Sequence, residues 1–185
     1  MSKTMTALVK ERQEPLQDRY KTAPDEARIT DHAIAESGAA DPFHGTVKVG
    51  DGQSAPWDFG IHRAIGGDHD LPNPGDILCA ALAACLDSTL CMIAARMGVP
   101  LESLEVSVNA RVDVRGCLMV DRTVPTGFQR IEVDVLLEVT EGVEPAQIKM
   151  LTSTAEQCCV VLQTLREGVP VTTTFREPTE KTAAE

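Results

Sequence analysis

Aromatic side chains are scarce in this sequence: Trp57, Tyr20, Phe43, Phe59, Phe128 and Phe175 are the only six in 185 residues. The core must therefore be aliphatic, and the chain lacks the stacking platforms with which single-strand binders hold bases. Positive charge is also short, with 17 Lys and Arg against 28 Asp and Glu and a net charge of −11. No Lys/Arg cluster forms a basic stripe against that field, and an acidic chain repels phosphate backbones, so no nucleic-acid partner is expected. Long apolar runs are missing too. The longest, Ile77 to Leu86, stops at Asp87, well short of the roughly 20 residues needed to cross a bilayer, so no membrane partner is expected. The first twenty residues hold no signal-like apolar stretch, which makes the cytoplasm the expected location.

What is present suits a globular chain. The composition is 43% hydrophobic and 24% charged, and the length suggests one domain burying roughly 70% of the surface that its unfolded state exposes. Six cysteines occur, at 79, 85, 91, 117, 158 and 159. In a reducing compartment they read as packed thiols or as chemistry rather than as a disulfide framework. No C-x-x-C is found, and the histidines at 32, 44, 62 and 69 lack ligand spacing relative to the cysteines, so no metal is expected.

Three segments can be separated: a polar, charge-mixed arm over residues 1–40, a folded domain over 41–176, and a loose polar tail over 177–185. The arm has a short helical possibility at Glu14 to Tyr20. HGTVKVG, a GDG turn at 50–52 and Trp57 to Ile61 predict a hairpin. Asn73-Pro74-Gly75-Asp76 then opens the strongest helix signal, because Asn caps, Pro is tolerated in the first turn and Asp favours the positive end of the dipole. That helix should reach Met97 and stop at Gly98. ILCAALAACL, its first half, is apolar on every face, which predicts an element surrounded by other structure. Leu104 to Arg115 alternates between apolar and polar residues, and Ile131 to Val139 repeats the pattern, predicting an antiparallel pair. A second, amphipathic helix should begin at Glu144-Pro145 and end at Gly168, followed by a short terminal strand over Pro170 to Phe175.

A reactive cysteine needs a cation, a helix N-terminus or another donor beside it. Cys85 lies about nine residues past the helix start, too deep for a dipole effect confined to the first turn. It ends the apolar run, and Ser88 and Thr89 share its face. Cys79 and Cys91, each six residues away, point about 240° elsewhere. Cys158 and Cys159 both fall at the edges of the second helix's apolar stripe, and a bridge between these neighbours would have poor geometry. On spacing alone, any of these thiols also fits a small core residue.

NPGDILCAALAACLDSTL, LEVSVNARVDV and AEQCCVVLQTL, in that order and spacing, resemble the signature elements of the OsmC/Ohr family, the osmotically induced and organic-hydroperoxide-resistance proteins. The resemblance spans about residues 44 to 175. It implies an α+β fold in which two chains intertwine, with antiparallel sheets packed around two central helices. Cys85 then aligns with the peroxidatic cysteine and Cys159 with the resolving one, leaving Cys158 a bystander. The implied chemistry is attack of the thiolate on an organic hydroperoxide, a Cys85 sulfenic acid, a Cys85–Cys159 disulfide and its reduction by a dithiol.

Peroxidase members of the family use an Arg near the first strand to hold the thiolate and a Glu after the Asn-Pro to orient that Arg. Here Gly75 stands at the Glu position, and DPFHGTVKVG contains no Arg. The resemblance is thus to a divergent subgroup lacking this pair. Arg63 and His62 in the loop before the cysteine helix, or Arg19 in the arm, are the candidates to replace the missing cation. The alternative is a non-catalytic homodimer binding a small or lipid-like ligand in an apolar interfacial pocket.

Overall fold

The computed structural model describes residues 4–38, 40–52 and 55–176; the tail expected over 177–185 lies outside the described residues. In chain order the elements are α1 (Met5–Thr22), β1 (Ala33–Glu36), β2 (His44–Val49), β3 (Trp57–Gly60), α2 (Pro74–Met97), β4 (Leu101–Arg111), β5 (Arg130–Val139), α3 (Pro145–Cys158) and α4 (Val160–Glu167). Strands β1, β2 and β3 form one antiparallel sheet in that order, and β4 and β5 form another. The fold is α+β.

Helix α2 begins and ends as its sequence dictates. The Asn73 side-chain carbonyl accepts from the Gly75 and Asp76 amides at 2.8 and 3.4 Å, while the Asp76 carboxylate accepts from the Asn73 amide at 2.9 Å, a reciprocal capping box. At the other end Gly98 adopts φ +71° and directs its amide at the Ala94 and Ala95 carbonyls, a left-handed cap that glycine supplies at no steric cost. Leu82, Leu86, Leu90 and Ala94 recur every fourth residue and form the buried face of α2. They pack with Leu151 and Ala155 of α3, Leu162 of α4, and Val99.

The opposite face differs from the expectation of a helix surrounded on all sides. Ala80, Ala81, Ala84, Ser88 and Cys91 are exposed in the single chain. By length and composition α2 is the one helix among the described residues apolar enough to cross a bilayer. Its packing on α3, α4 and β4 makes it the core helix of this fold instead.

Strands β4 and β5 pair antiparallel with Val106 opposite Val135 and Val108 opposite Val133, and the apolar row of β4 packs against the core built on α2. The alternation in sequence runs to Arg115, but the ladder stops at Arg111. Beyond it the Gln129 side chain accepts from the Asp113 amide at 2.7 Å, and the Asp113 carboxylate accepts from the Arg115 amide at 3.1 Å. Side chains thereby replace the ladder partners and draw the chain away from β5.

The expected second helix is broken in two. Cys159, with φ −75° and ψ 105°, leaves the helical region for one residue and separates α3 from α4. Its amide still reaches the Ala155 carbonyl at 3.0 Å, and its carbonyl accepts from the Gln163 amide at 3.0 Å. The Gln163 side chain covers the Glu156 carbonyl at 2.6 Å, and Arg166 clasps the Glu156 carboxylate with two contacts of 3.0 Å. The kink therefore leaves few backbone groups unpaired.

Residues 170–175 form no strand and are exposed, Phe175 at 93%, because no neighbouring strand in this chain receives them. The arm is more ordered than its composition suggests. Helix α1 is capped by Thr4 and rests on α2, where Gln13 and Gln17 accept from the Arg96 guanidinium at 3.1 and 2.9 Å. No residue of α1 is buried, so a polar clamp rather than an apolar stripe holds it. The expected β2–β3 hairpin is present, with β1 added on its far edge. Among the described residues this three-stranded sheet packs on neither the helices nor the β4–β5 pair to any extent. It is tied to the loop before α2 by His44, whose Nδ1 lies 2.8 Å from Asp41 and whose Nε2 lies 3.1 Å from Asp70.

Candidate functional site

Cys85 and Cys159 come together where α2 packs on α4. Cys85 is half-buried at the edge of the α2 core face, whereas Cys159 is fully buried, at 0% exposure. Cys85 packs against the core cluster that contains Cys159 and is near enough to influence its thiol, although the two lie far apart in sequence. All six cysteines are free thiols. Cys158, one residue away, is exposed and lines a groove with Gln13, Gln17 and Met150.

The break between α3 and α4 gives Cys159 its surroundings. It is the N-cap residue of α4, and its side chain makes no cap hydrogen bond. Burial, the largest influence, pushes the Cys159 thiol up; the Leu162 backbone pulls it down, and neighbouring Cys85 pushes it up again. The net direction is upward, so Cys159 holds its proton. Cys79 and Cys91 are also raised, first by burial and then by the carboxylates of Asp76 and Asp87 respectively.

Ser88 and Thr89 do share the Cys85 face. Their hydroxyls, however, donate to the Cys85 carbonyl oxygen, at 3.1 and 2.7 Å, as serine and threonine commonly do inside helices. They fix the backbone at Cys85.

The three basic candidates have other surroundings. Arg19 pairs with Glu26 at 2.7 Å. His62 Nδ1 accepts from the Ala64 amide at 3.0 Å, and its ring meets His69 edge-on at 4.4 Å. Arg63 lies in the exposed turn that follows. His62 lines a cleft of about 790 Å³ with Cys79, Asn73 and Phe128. That cleft is at the start of α2, and Cys79 sits about 9 Å before Cys85 along the helix axis. A second cavity, of about 620 Å³, lies between β5 and the helices, lined by Leu82, Leu86, Ile131, Val133, Leu162 and Arg166.

Gly75 explains the fate of the missing carboxylate. A Cβ at this position would lie 2.9 Å from Asn73 Oδ1 and 3.1 Å from Phe128 Cζ. The space that a longer side chain would enter is taken by the Phe128 ring and the helix cap. The role of Phe128 is not visible in sequence, because it depends on the excursion between β4 and β5. Among the described residues no group of three or more His, Cys, Asp or Glu side chains is arranged to hold a metal.

These features can be set beside known proteins. The OsmC-like protein family matches residues 67–174. An OsmC-like protein of unknown function from Vibrio cholerae is similar in structure with a TM-score of 0.61 and 14% identity, covering 74% of this chain and 94% of that one. An OsmC-like protein from Mycoplasma pneumoniae gives 0.60 and 13%, covering 76% and 89%. An organic hydroperoxide resistance protein from Elizabethkingia anophelis gives 0.56 and 22%, covering 76% and 91%. At these identities the shared property is the fold. No curated protein sequence matches significantly. With more than half of the chain inside the family match, and with the fold shared, this protein belongs to the OsmC-like family.

Proposed function

We infer that this chain is a cysteine-based peroxidase that reduces organic hydroperoxides. The observation that carries the reading is the contact between the half-buried Cys85 thiol and the fully buried Cys159 thiol at the α3–α4 break. The accessible member of the pair attacks and the protected member resolves. Cys85, as thiolate, displaces an alkoxide from the terminal peroxide oxygen; the alkoxide takes a proton to leave as the alcohol, and Cys85 becomes a sulfenic acid. The Cys159 sulfur then attacks the Cys85 sulfur, forming the disulfide and releasing water. A dithiol returns both cysteines to thiols and is itself oxidised. Nothing in this sequence of steps requires a cofactor.

Two copies complete the molecule in this reading. The exposed small-residue face of α2 and the unpaired edges of both sheets support an intertwined homodimer, because bare sheet edges and apolar helix faces are costly to leave in water. Dithiol-dependent consumption of cumene hydroperoxide by the wild type and by Cys85→Ser tests the chemistry. Loss of turnover in the variant is expected, and equal rates would remove Cys85 from the reaction.

A second reading is favoured by one observation. Phe128 closes over Gly75 where a carboxylate would orient a cation, and the neighbouring cleft is lined largely by apolar side chains. This suits a binding protein for a small apolar ligand. Trapping with a sulfenic-acid reagent after mild peroxide treatment separates the two, since a pure binding protein leaves Cys85 unlabelled.

A further inference from the structure

Helix α1 precedes the residues that match the family, which begin at 67, and with α2 and α3 it encloses a groove of about 580 Å³. Small-molecule sites fall in this size range. Met92, Ile93 and Met97 of α2 and Met150 of α3 supply its apolar lining. Met92 and Met150 are 43% and 61% exposed, so among the described residues nothing covers them. Methionine chains are flexible and polarisable, which lets such a lining mould itself to an apolar tail. The groove shares no lining residue with the cleft at the start of α2 or with the cavity beside β5.

One charged side chain, Arg96, lines this groove, and its sign is opposite to the chain's net charge of −11. Other arginines take acidic partners: Arg19 pairs with Glu26, Arg115 with Asp113 and Arg166 with Glu156. Arg96 instead donates from Nη1 to Gln13 Oε1 at 3.1 Å and from Nη2 to Gln17 Oε1 at 2.9 Å. Both acceptors are neutral, and they occupy two of the five N–H donors of a guanidinium. The Gln13 amide nitrogen donates in turn to Met92 Sδ at 3.7 Å, which orients its carbonyl oxygen toward Arg96. Helix α1 thus holds the guanidinium in place without cancelling its charge. A carboxylate matches the planar fork that remains, and charge-assisted bonds are about twice as strong as neutral ones.

We propose that the groove between α1, α2 and α3 binds an anionic amphiphile, a free medium-chain carboxylate, with its head on Arg96 and its tail on Met92, Ile93, Met97 and Met150. Gln13 and Gln17 are positioning residues for the guanidinium. The ligand needs no peroxide group, and the site rests on neither the peroxidase reading nor the dimer.

The test is calorimetric titration of the full-length chain with decanoate and with 1-decanol, which has the same tail and no charge. Wild type, Arg96→Met, Gln17→Glu and Met150→Gln are compared. Decanoate should bind wild type at least about tenfold more tightly than decanol, the scale of a charge-assisted pair. Arg96→Met should lose that preference. Gln17→Glu, an exposed change that leaves the clamp in place, supplies the carboxylate from within the chain and should also weaken decanoate about tenfold or more; a guanidinium that merely anchors α1 predicts no change. Met150→Gln should weaken both probes. With methyl-labelled methionine, the Met92, Met97 and Met150 signals should move on titration while those of Met5 and Met119 stay. No decanoate binding up to about 1 mM, equal affinity for the two probes, undiminished binding by Gln17→Glu, or methyl shifts outside the groove would each overturn the proposal.

Discussion

Three adjacent or nearby cysteines have three different fates: Cys85 is half-buried, Cys159 is sealed, and Cys158 points outward. Their reactivities should divide accordingly. Cys85→Ser should lower dithiol-dependent hydroperoxide consumption about a hundredfold or more, since a hydroxyl is a far weaker nucleophile at neutral pH. Cys158→Ser should leave the rate within about twofold of wild type, because an exposed neighbour is not needed for the Cys85–Cys159 bridge. A peroxide-consumption assay reads both, and an inactive Cys158→Ser would show that the exposed thiol belongs to the cycle. At the same scale Leu151, fully buried against α2, should cost about 2–5 kcal/mol when cut to Ala, measured by denaturant unfolding.

Among the elements, the His44 tether makes the junction between the three-stranded sheet and the α2 loop sensitive to pH. Its hydrogen bonds to Asp41 and then Asp70 raise His44 above its ordinary 6.5; the Phe43 amide and His44 lower Asp41, and His44 lowers Asp70. A raised histidine stabilises the fold fully below pH 6.5 and loses that contribution as pH climbs through its folded value; the lowered carboxylates contribute above 3.8 and lose it on acidification. His44→Gln should therefore melt below wild type at about pH 5.5, with the gap narrowing by about pH 8.5. A gap that is constant with pH would mean that the tether carries no charge. The elements also differ in how far their sequences announce them. Helix α2 is legible because Asn73, Asp76 and Gly98 cap it chemically, and β4 and β5 because their apolar rows alternate. Helix α1 is legible only in part, since a Gln–Arg clamp leaves no periodic stripe. The kink at Cys159 is invisible in sequence, because it arises from packing a buried sulfur against α2 rather than from a Gly or Pro. The strand expected at 170–175 has the right residues and no partner in one chain.

For the molecule as a whole, the proposed dimer would cover the bare face of α2 and the free strand edges. Replacing Ala84, exposed on that face, by Arg should halve the mass seen by light scattering while the wild type runs as two copies. A wild type that is monomeric at micromolar concentration would remove the dimer from the proposal. The same uncovered face has a thermodynamic consequence. When a core helix is finished only by association, folding and assembly become one equilibrium, and mass action enters the stability. The melting temperature should then climb with protein concentration. Dilution alone, with no change of solvent or temperature, would act on this protein as a denaturant.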